Sequence, residues 1–397
     1  MNENKMKGYI KQAIIIVVSI MVGSVITMFI KDTNCTDSKI NLSGNSHSEF
    51  EPLYEAYESI LKNYYDKVDG DKLIDGALNG MMESLGDEHS IYFDKESKEA
   101  FNQELSGSYY GIGAEIQLNS DKTISIRKIF DDSPAYKAGL KANDVIISVD
   151  GESVKGKSAS DVATMIKKGK NKIAVIIIKR DGKEETYKIA KENVTLYSVS
   201  SEMLNVNNKK IGYIGVSIFG EKTYSQFSSA LSKLENENME SLIIDLRGNS
   251  GGYLTTVTRM LNIFIEKGNV IYQMQTQDGV MKYKTTLSGH KSYNIVVLVD
   301  ENSASASEIM ASAMQEVYGA KLVGKTTYGK GTVQTTSDLS NGAMIKYTIE
   351  KWLTANGNSI DKVGVKPDYE VSLSEKYSES PSNENDDQLQ KAIELLK

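Results

Sequence analysis

Ser305 stands where a strand-like run, Val296-Val297-Leu298-Val299-Asp300, turns through Glu301-Asn302-Ser303-Ala304 into a helical pattern from Ile309 onward. A sharp strand-to-helix turn can display a serine hydroxyl as a nucleophile, provided a base and oxyanion donors converge on it. A serine at a helix start is otherwise an ordinary cap. The downstream stretch Tyr328-Gly329-Lys330-Gly331-Thr332-Val333-Gln334 changes that reading. A lysine between two glycines can be packed closely by backbone. Packing of that kind desolvates the ammonium and lowers its pKa toward that of a general base. On a strand, Lys330 and Gln334 lie four residues apart and share a face. Upstream, Asp245-Leu246-Arg247-Gly248-Asn249-Ser250-Gly251-Gly252 reads as a strand running into a glycine turn and then a helix. The exposed N–H groups of such a turn suit an oxyanion hole.

Composition narrows the alternatives. The 397 residues hold three histidines (His47, His89 and His290) and one cysteine, Cys35. An intrachain disulfide and a thiolate zinc site are excluded, and histidine-rich metal centres are disfavoured. None of the histidines has an evident triad partner in sequence, and His89 reads as structural. The formal net charge of -7 argues against a nucleic-acid binder, which normally shows a basic face. Gly319–Thr326 fits the phosphate-loop pattern by letter. Its strand falls inside the motif rather than before it, so the match is set aside. Tyr109-Tyr110-Gly111-Ile112-Gly113 lacks the third glycine of a dinucleotide fingerprint.

The elements that must position these residues are legible as patterns. Residues 13–30 carry no charge and nearly span a ~30 Å hydrocarbon core. Lys5, Lys7 and Lys11 precede them, which predicts an uncleaved single-pass anchor in the cell membrane with the rest of the chain extracytoplasmic. Residues 32–49 read as a flexible tether. Helical spacing dominates from Phe50 to about Leu105. From Tyr109 to Ile189 the pattern is β-rich, with short helices at Ser133–Gly139 and Asp161–Lys168. From Asn193 to Leu373 it alternates strands (Ile211–Ile218, Ser241–Leu246, Ile295–Val299, Ala320–Val323) with helices (Tyr224–Glu235, Leu254–Ile265, Ser305–Val317), which argues α/β. Gln388–Lys397 predicts a closing amphipathic helix.

Two resemblances rest on these residues. Ser133-Pro134-Ala135-Tyr136-Lys137-Ala138-Gly139-Leu140, followed by Asp144-Val145-Ile146 and Val149-Asp150-Gly151, resembles a PDZ domain. That implies strand addition of a partner's C-terminus in a groove beside the strand opening at Ile112, with its carboxylate on the loop Tyr110-Gly111-Ile112-Gly113. The apolar Ile112, Ala114 and Ile116 then favour apolar terminal residues. After this segment come Asp-Leu-Arg-x-Asn-x-Gly-Gly, Ser-Ala-Ser-Ala-Ser-Glu and Gly-Lys-Gly-Thr-Val-Gln, and the whole resembles the C-terminal processing (tail-specific) peptidases from about Pro52 to Asp368. The resemblance implies Ser305 as nucleophile, Lys330 as general base and Gln334 as the residue that orients it. It places the oxyanion donors at the N–H groups of Ala306 and Gly251, with Gly252 the alternative to Gly251. It also implies a misaligned resting site that bound peptide realigns, and dimers formed through N-terminal helices and the C-terminal tail. The chain departs from the family at Glu88, commonly proline, and at Met165-Ile166-Lys167-Lys168, where the family often carries arginine.

The expected fold is an α/β (α+β) protease core of ClpP/crotonase-like type, with an inserted β-rich PDZ domain and an N-terminal helical arm. The expected division is a cytoplasmic stub and anchor at 1–31, tether at 32–49, dimerising helical arm at 50–105, PDZ domain at 106–192, serine peptidase core at 193–373, and tail and helix at 374–397. The expected function is a membrane-anchored serine endopeptidase that reads protein C-termini and cleaves with a Ser305–Lys330 dyad. No cofactor, metal or nucleic acid is implied; the expected partners are protein or peptide C-termini, the membrane, and a second copy of the chain. Two other classes remain: a non-catalytic PDZ scaffold and a crotonase-like acyl-CoA enzyme.

Overall fold

A computed structural model of the chain describes residues 49–169, 171–276, 278–287 and 291–397. The apolar segment 13–30, His47, His290 and Cys35 lie outside them. The chain divides into two compact units.

The unit Gln103–Ser198 holds strands β2 (Ser108–Gly111), β3 (Ala114–Leu118), β4 (Ile124–Ile129), β5 (Val145–Val149), β6 (Glu152–Ser153), β7 (Ile173–Arg180), β8 (Lys183–Ala190) and β9 (Glu192–Thr195). Its helices are α4 (Pro134–Ala138) and α5 (Ala159–Lys168). Ser133 caps α4 by accepting from Tyr136 N–H, and Gly139 closes it in the left-handed conformation. The main sheet runs β3-β4-β5-β7-β8, so β3 is an edge, and it packs beside α5. Ile126, Ile146, Val149, Val162, Ile166, Ile176 and Ile178 fill the core. β9 pairs with β2, which carries this unit past the expected boundary at 192.

The other unit comprises the described residues through Asn102 with Val199–Lys397. Its first sheet runs β10 (Val199–Val206), β11 (Lys209–Val216), β12 (Ser241–Asp245), β15 (Asn294–Val299), β16 (Lys321–Gly324) and β19 (Tyr369–Glu370). Every pairing after β10–β11 is parallel. Parallel strands are buried on both faces, which explains their continuous apolar runs. Alternate residues part to either side. Leu242, Ile244, Val297 and Val299 join the core with α6 (Thr223–Asn236), α7 (Leu254–Phe264) and α8 (Ala306–Ala313). Ile243, Val296 and Leu298 face α10 (Asp387–Leu396) through Leu389, Ile393 and Leu396.

The second sheet was not foreseen. β13 (Val270–Thr276), β14 (Gly279–Lys284), β17 (Thr332–Asp338) and β18 (Met344–Leu353) form it, together with β1 (Ile91–Phe93). The segment expected as a separate arm holds helices α1 (Glu51–Asn63), α2 (Gly70–Glu83) and α3 (Lys95–Ser106), but its β1 pairs with Met344–Lys346 of β18. That pairing brings the loop 87–90 against the second sheet.

The expectation of a single-pass membrane protein with an extracytoplasmic catalytic part is corrected. Among the described residues no helix is long and apolar enough to cross a membrane. The run that prompted it, 13–30, falls outside those residues, and the anchor is not carried further.

Arg247 fastens α10 to the sheet. Its guanidinium bonds Asp245, whose strand it follows, as well as Asp386 and Gln388 at the start of α10. Both aspartates are nearly buried, so removing the cation strands two carboxylates. Arg247→Met is expected to cost about 3 kcal/mol or more. Thermal unfolding and amide exchange over 387–396 check it: the melting temperature falls and α10 loses protection first.

Candidate active site

Three adjacent parallel strands end on the same side, and their following loops meet. β12 leads into the turn 246–252, β15 into 300–305, and β16 into 325–331. Asp245 pairs with Leu298 and Val299 with Gly324, so the three exits lie side by side. Crevices at the carboxyl ends of parallel strands are the usual location of α/β sites.

Ser305 occupies the N-cap position of α8 with φ +59° and ψ -115°, a conformation that is strained for a side-chain-bearing residue. Its hydroxyl does not cap the helix. It is fully buried and has no hydrogen-bond partner among the described residues. The strain is held by neighbours. Ala304 N–H and the Ser307 hydroxyl both donate to Asn249 O, Ser303 Oγ donates to Leu246 O, and Tyr328 N–H donates to Ser303 O. A cap offers its oxygen to the helix; a nucleophile must keep it back.

Glu308 supplies the tightest tie. Its carboxylate is buried and accepts from Ser305 N–H at 2.8 Å, Thr327 Oγ1 at 2.6 Å, Gly329 N–H at 2.7 Å and Lys330 N–H at 2.9 Å. Burial pushes its pKa up, and these four donors pull against that shift. One side chain thus fixes both the serine elbow and the lysine loop. Sequence reasoning assigned Glu308 no role, although the Ser-x-x-Glu spacing of a capping box was there to be read.

Lys330 is fully buried. Its carbonyl accepts from Trp352 Nε1 at 2.8 Å. A Cβ on Gly331 would sit 2.7 Å from Asp361 Cβ, and one on Gly329 would lie 2.9 Å from the N atoms of Val363 and Gly364. The two glycines therefore permit the close backbone packing anticipated for them. The Lys330 pKa lies well below its ordinary value, first through burial and then through the charge of Lys346, with Asp87, Glu308 and Glu88 opposing. Lys346 is itself buried between Phe93 and Phe101, and burial takes it down to about 8. On β18 it sits within a mixed polar and apolar pattern that gave no signal of burial.

Gln334 is buried. Lys330 precedes the strand, which begins at Thr332, and a bulge between Val333 and Gln334 breaks the two-residue period. Gln334 Nε2 donates to Thr332 Oγ1 at 2.9 Å and Thr348 Oγ1 at 3.0 Å, while its Oε1 has no partner among the described residues. His89, read as structural, lies near this group. Its pKa falls to about 4, through burial first and then the charge of Lys330.

The glycine turn departs from the expected oxyanion geometry in one respect. Gly251 has φ +115°, and a Cβ there would lie 2.9 Å from Ser305 Cβ and 3.2 Å from Ala306 N. Its N–H is already given to Asn249 Oδ1 at 2.9 Å, so in this conformation it does not point at an incoming oxyanion.

In the Gln103–Ser198 unit, the predicted peptide residues surround the open edge of β3. Tyr110 is exposed, Gly111 closes β2, and Gly113 has φ +83°. Ala114 and Ile116 lie half-buried on the core beside α5. Ile112 is a core side chain, 4% exposed, and its carbonyl accepts from Ala135 N–H.

Comparison with known proteins agrees with this architecture. Residues 210–371 match peptidase family S41, 103–178 match the PDZ domain, and 21–97 match the activating protease CtpB N-terminal domain. Carboxy-terminal processing protease CtpA of Bacillus subtilis (strain 168) is 37% identical over 381 residues, 95% of this chain and 80% of its own length. CtpB of the same organism is 40% identical over 332 residues, 83% of this chain and 69% of its own. The chain belongs to the carboxy-terminal processing proteases. It is therefore a PDZ-containing, serine-type peptidase of the S41 fold that acts on protein or peptide substrates. A putative S41 protease from Bacteroides fragilis shares the fold, with TM-score 0.53 over 84% of this chain and 91% of its own at 16% identity.

Glu308→Gln leaves a single acceptor oxygen for four donors. Buried donors then go unsatisfied at the elbow or at the lysine loop, at a cost of about 1–3 kcal/mol. The expected result is a lower melting temperature together with proteolysis of casein reduced at least tenfold. Unchanged activity and stability would refute the tying role.

Proposed function

We propose that this carboxy-terminal processing protease cleaves with Ser305 as nucleophile, Lys330 as general base and Gln334 as its orienting partner. The observation that carries the reading is the pairing of a strained, buried serine without a cap bond and a buried lysine of lowered pKa, both fastened to Glu308. Neutral Lys330 takes the Ser305 proton as Oγ attacks the peptide carbonyl, and the new ammonium is held by Gln334. It then protonates the leaving amine, and water resolves the acyl-enzyme.

The oxyanion is assigned to the N–H of Ala306 and to Gly251 after release from Asn249 Oδ1. The free Ser305 hydroxyl and the engaged Gly251 N–H both fit a resting state that substrate must realign. Capture of the substrate C-terminus is assigned to the open β3 edge. There Ala114 and Ile116 offer apolar contact and the loop Tyr110-Gly111-Ile112-Gly113 faces the terminal carboxylate. The proposed division assigns the PDZ domain to the unit Gln103–Ser198 and the peptidase core to the unit that contains Val199–Lys397. Homodimers are proposed through the arm 50–105, where Leu53, Ile60, Leu61 and Met81 are exposed, and through the tail 374–397. The scaffold alternative predicts binding of peptide C-termini with no cleavage at all.

Ser305→Ala and Lys330→Ala are each expected to lose cleavage of casein by at least a thousandfold with the chain still folded. Lys330→Arg should lose it equally but with a lower melting temperature, since arginine stays protonated at every usable pH and the site is fully buried. Full activity in any of them sinks the assignment.

The pH profile gives an independent check. Cleavage should rise with pH as Lys330 loses its proton, with the acid limb well below the ordinary lysine range. Lys346→Met removes a repelling charge, raises the Lys330 pKa and moves that limb to higher pH. A limb that stays in place, or moves down, contradicts the electrostatic account.

A further inference from the structure

Asp87 lies in the loop between α2 and β1, remote in sequence from the motifs that define the site, yet it reaches Gln334 through one hydroxyl. Its Oδ2 accepts from Thr348 Oγ1 at 2.6 Å and from Ser90 Oγ at 2.5 Å, and its Oδ1 accepts from His89 N–H at 3.1 Å. Thr348 pairs with Gln334 across β17 and β18, and its Oγ1 is 3.0 Å from Gln334 Nε2. Burial pushes the Asp87 carboxyl up, but the hydroxyls of Ser90 and Thr348 and the His89 N–H outweigh it and hold the group ionised.

The direction of every bond in this chain follows. An ionised carboxylate only accepts, so Thr348 must spend its single proton on Asp87. Its oxygen is then left to accept, and the neighbour opposite must be the amide nitrogen of Gln334 rather than the oxygen. Thr332 Oγ1 accepts from the same nitrogen. The amide is thereby locked with Oε1 turned away from both threonines, as a buried acceptor without a partner among the described residues. A buried acceptor left open costs stability and calls for an explanation.

We infer that Asp87 and Thr348 are positioning residues that fix the amide of Gln334, through the relay Asp87–Thr348–Gln334, with Oε1 as the acceptor offered to the Lys330 ammonium. A reversed amide would turn an NH2 donor toward that ammonium and oppose proton transfer from Ser305. The inference rests on the Ser305–Lys330–Gln334 reading and adds to it a loop from outside all three motifs.

Steady-state cleavage of fluorescein-labelled casein by the full chain tests it. Thr348→Val, which changes no charge, should lower kcat about tenfold to a hundredfold, part of the roughly 10²–10⁴ that a positioned base supplies, with KM within about twofold. Thr348→Ser should restore kcat. Asp87→Ala should lower kcat as well while moving the acid limb to lower pH, because it also removes a charge that favours the Lys330 ammonium. In a Gln334→Ala background Thr348→Val should cost nothing further, because the amide it positions is gone. Wild-type kcat in Thr348→Val, or an undiminished loss in the Gln334→Ala background, overturns the inference. If Thr348→Val melts below the assay temperature, Thr348→Ala, which also removes the hydroxyl without changing charge, carries the same cycle. Ser305→Ala separates the two levels. Retained cleavage there refutes the catalytic reading, whereas a dead Ser305→Ala beside a fully active Thr348→Val refutes only the relay.

Discussion

The buried carboxylate of Glu308 is the contact on which the site depends. Taking a carboxylate out of water costs several kcal/mol, and this one is offset only because four donors from two chain segments converge on it. Those donors are the backbone of the serine elbow, the backbone of the lysine loop and a threonine that in turn accepts from Val365 N–H. Losing any one segment leaves a buried charge short of partners, so elbow and loop are placed together or not at all. The same carboxylate also works against Lys330 as a base, since its negative charge favours the ammonium. Burial and Lys346 outweigh it. Lys346 thus balances the electrostatic side-effect of the group that fixes the geometry.

The parallel sheet explains why these segments meet. β12, β15 and β16 are adjacent and share a direction, so three stretches far apart in sequence leave the sheet at one end. The second, antiparallel sheet adds what the first cannot. β17 brings Gln334, β18 brings Thr348 and Lys346, and β1 carries the loop with Asp87. One sheet therefore presents the proposed reacting groups, and the other sets the orientation and charge of their surroundings.

How much of this the sequence discloses follows from the range of the interactions. Strands of the parallel sheet were legible because burial on both faces leaves unbroken apolar runs, such as Ile295–Val299. Helices α6 and α7 were legible from their apolar stripes, and the three motifs from residue types that have few other uses together. The second sheet was not, because strands such as Gly279–Lys284 are largely exposed and those such as Met344–Leu353 mix lysine and glutamate with apolar residues. The shared face expected for Lys330 and Gln334 assumed an unbroken strand, and a bulge between Val333 and Gln334 interrupts it, a feature that no two-residue period can register. Glu308, Asp87 and Lys346 were given no role for a common reason: charged residues read as solvated until the tertiary structure buries them.

The scarcity of histidine also takes on a physical meaning. His89 stands beside the proposed base, yet burial and the Lys330 charge bring its pKa down to about 4, so it holds a proton poorly. An imidazole and an ammonium packed together cannot both be charged at low cost, and the group that stays the stronger base receives the proton. The proposed chemistry gives it to the amine, whose basicity in water starts some four units above that of imidazole. Lowering the amine further would bring the two into competition. The carboxylates of Asp87, Glu308 and Glu88 oppose that drop and hold up the basicity of the amine.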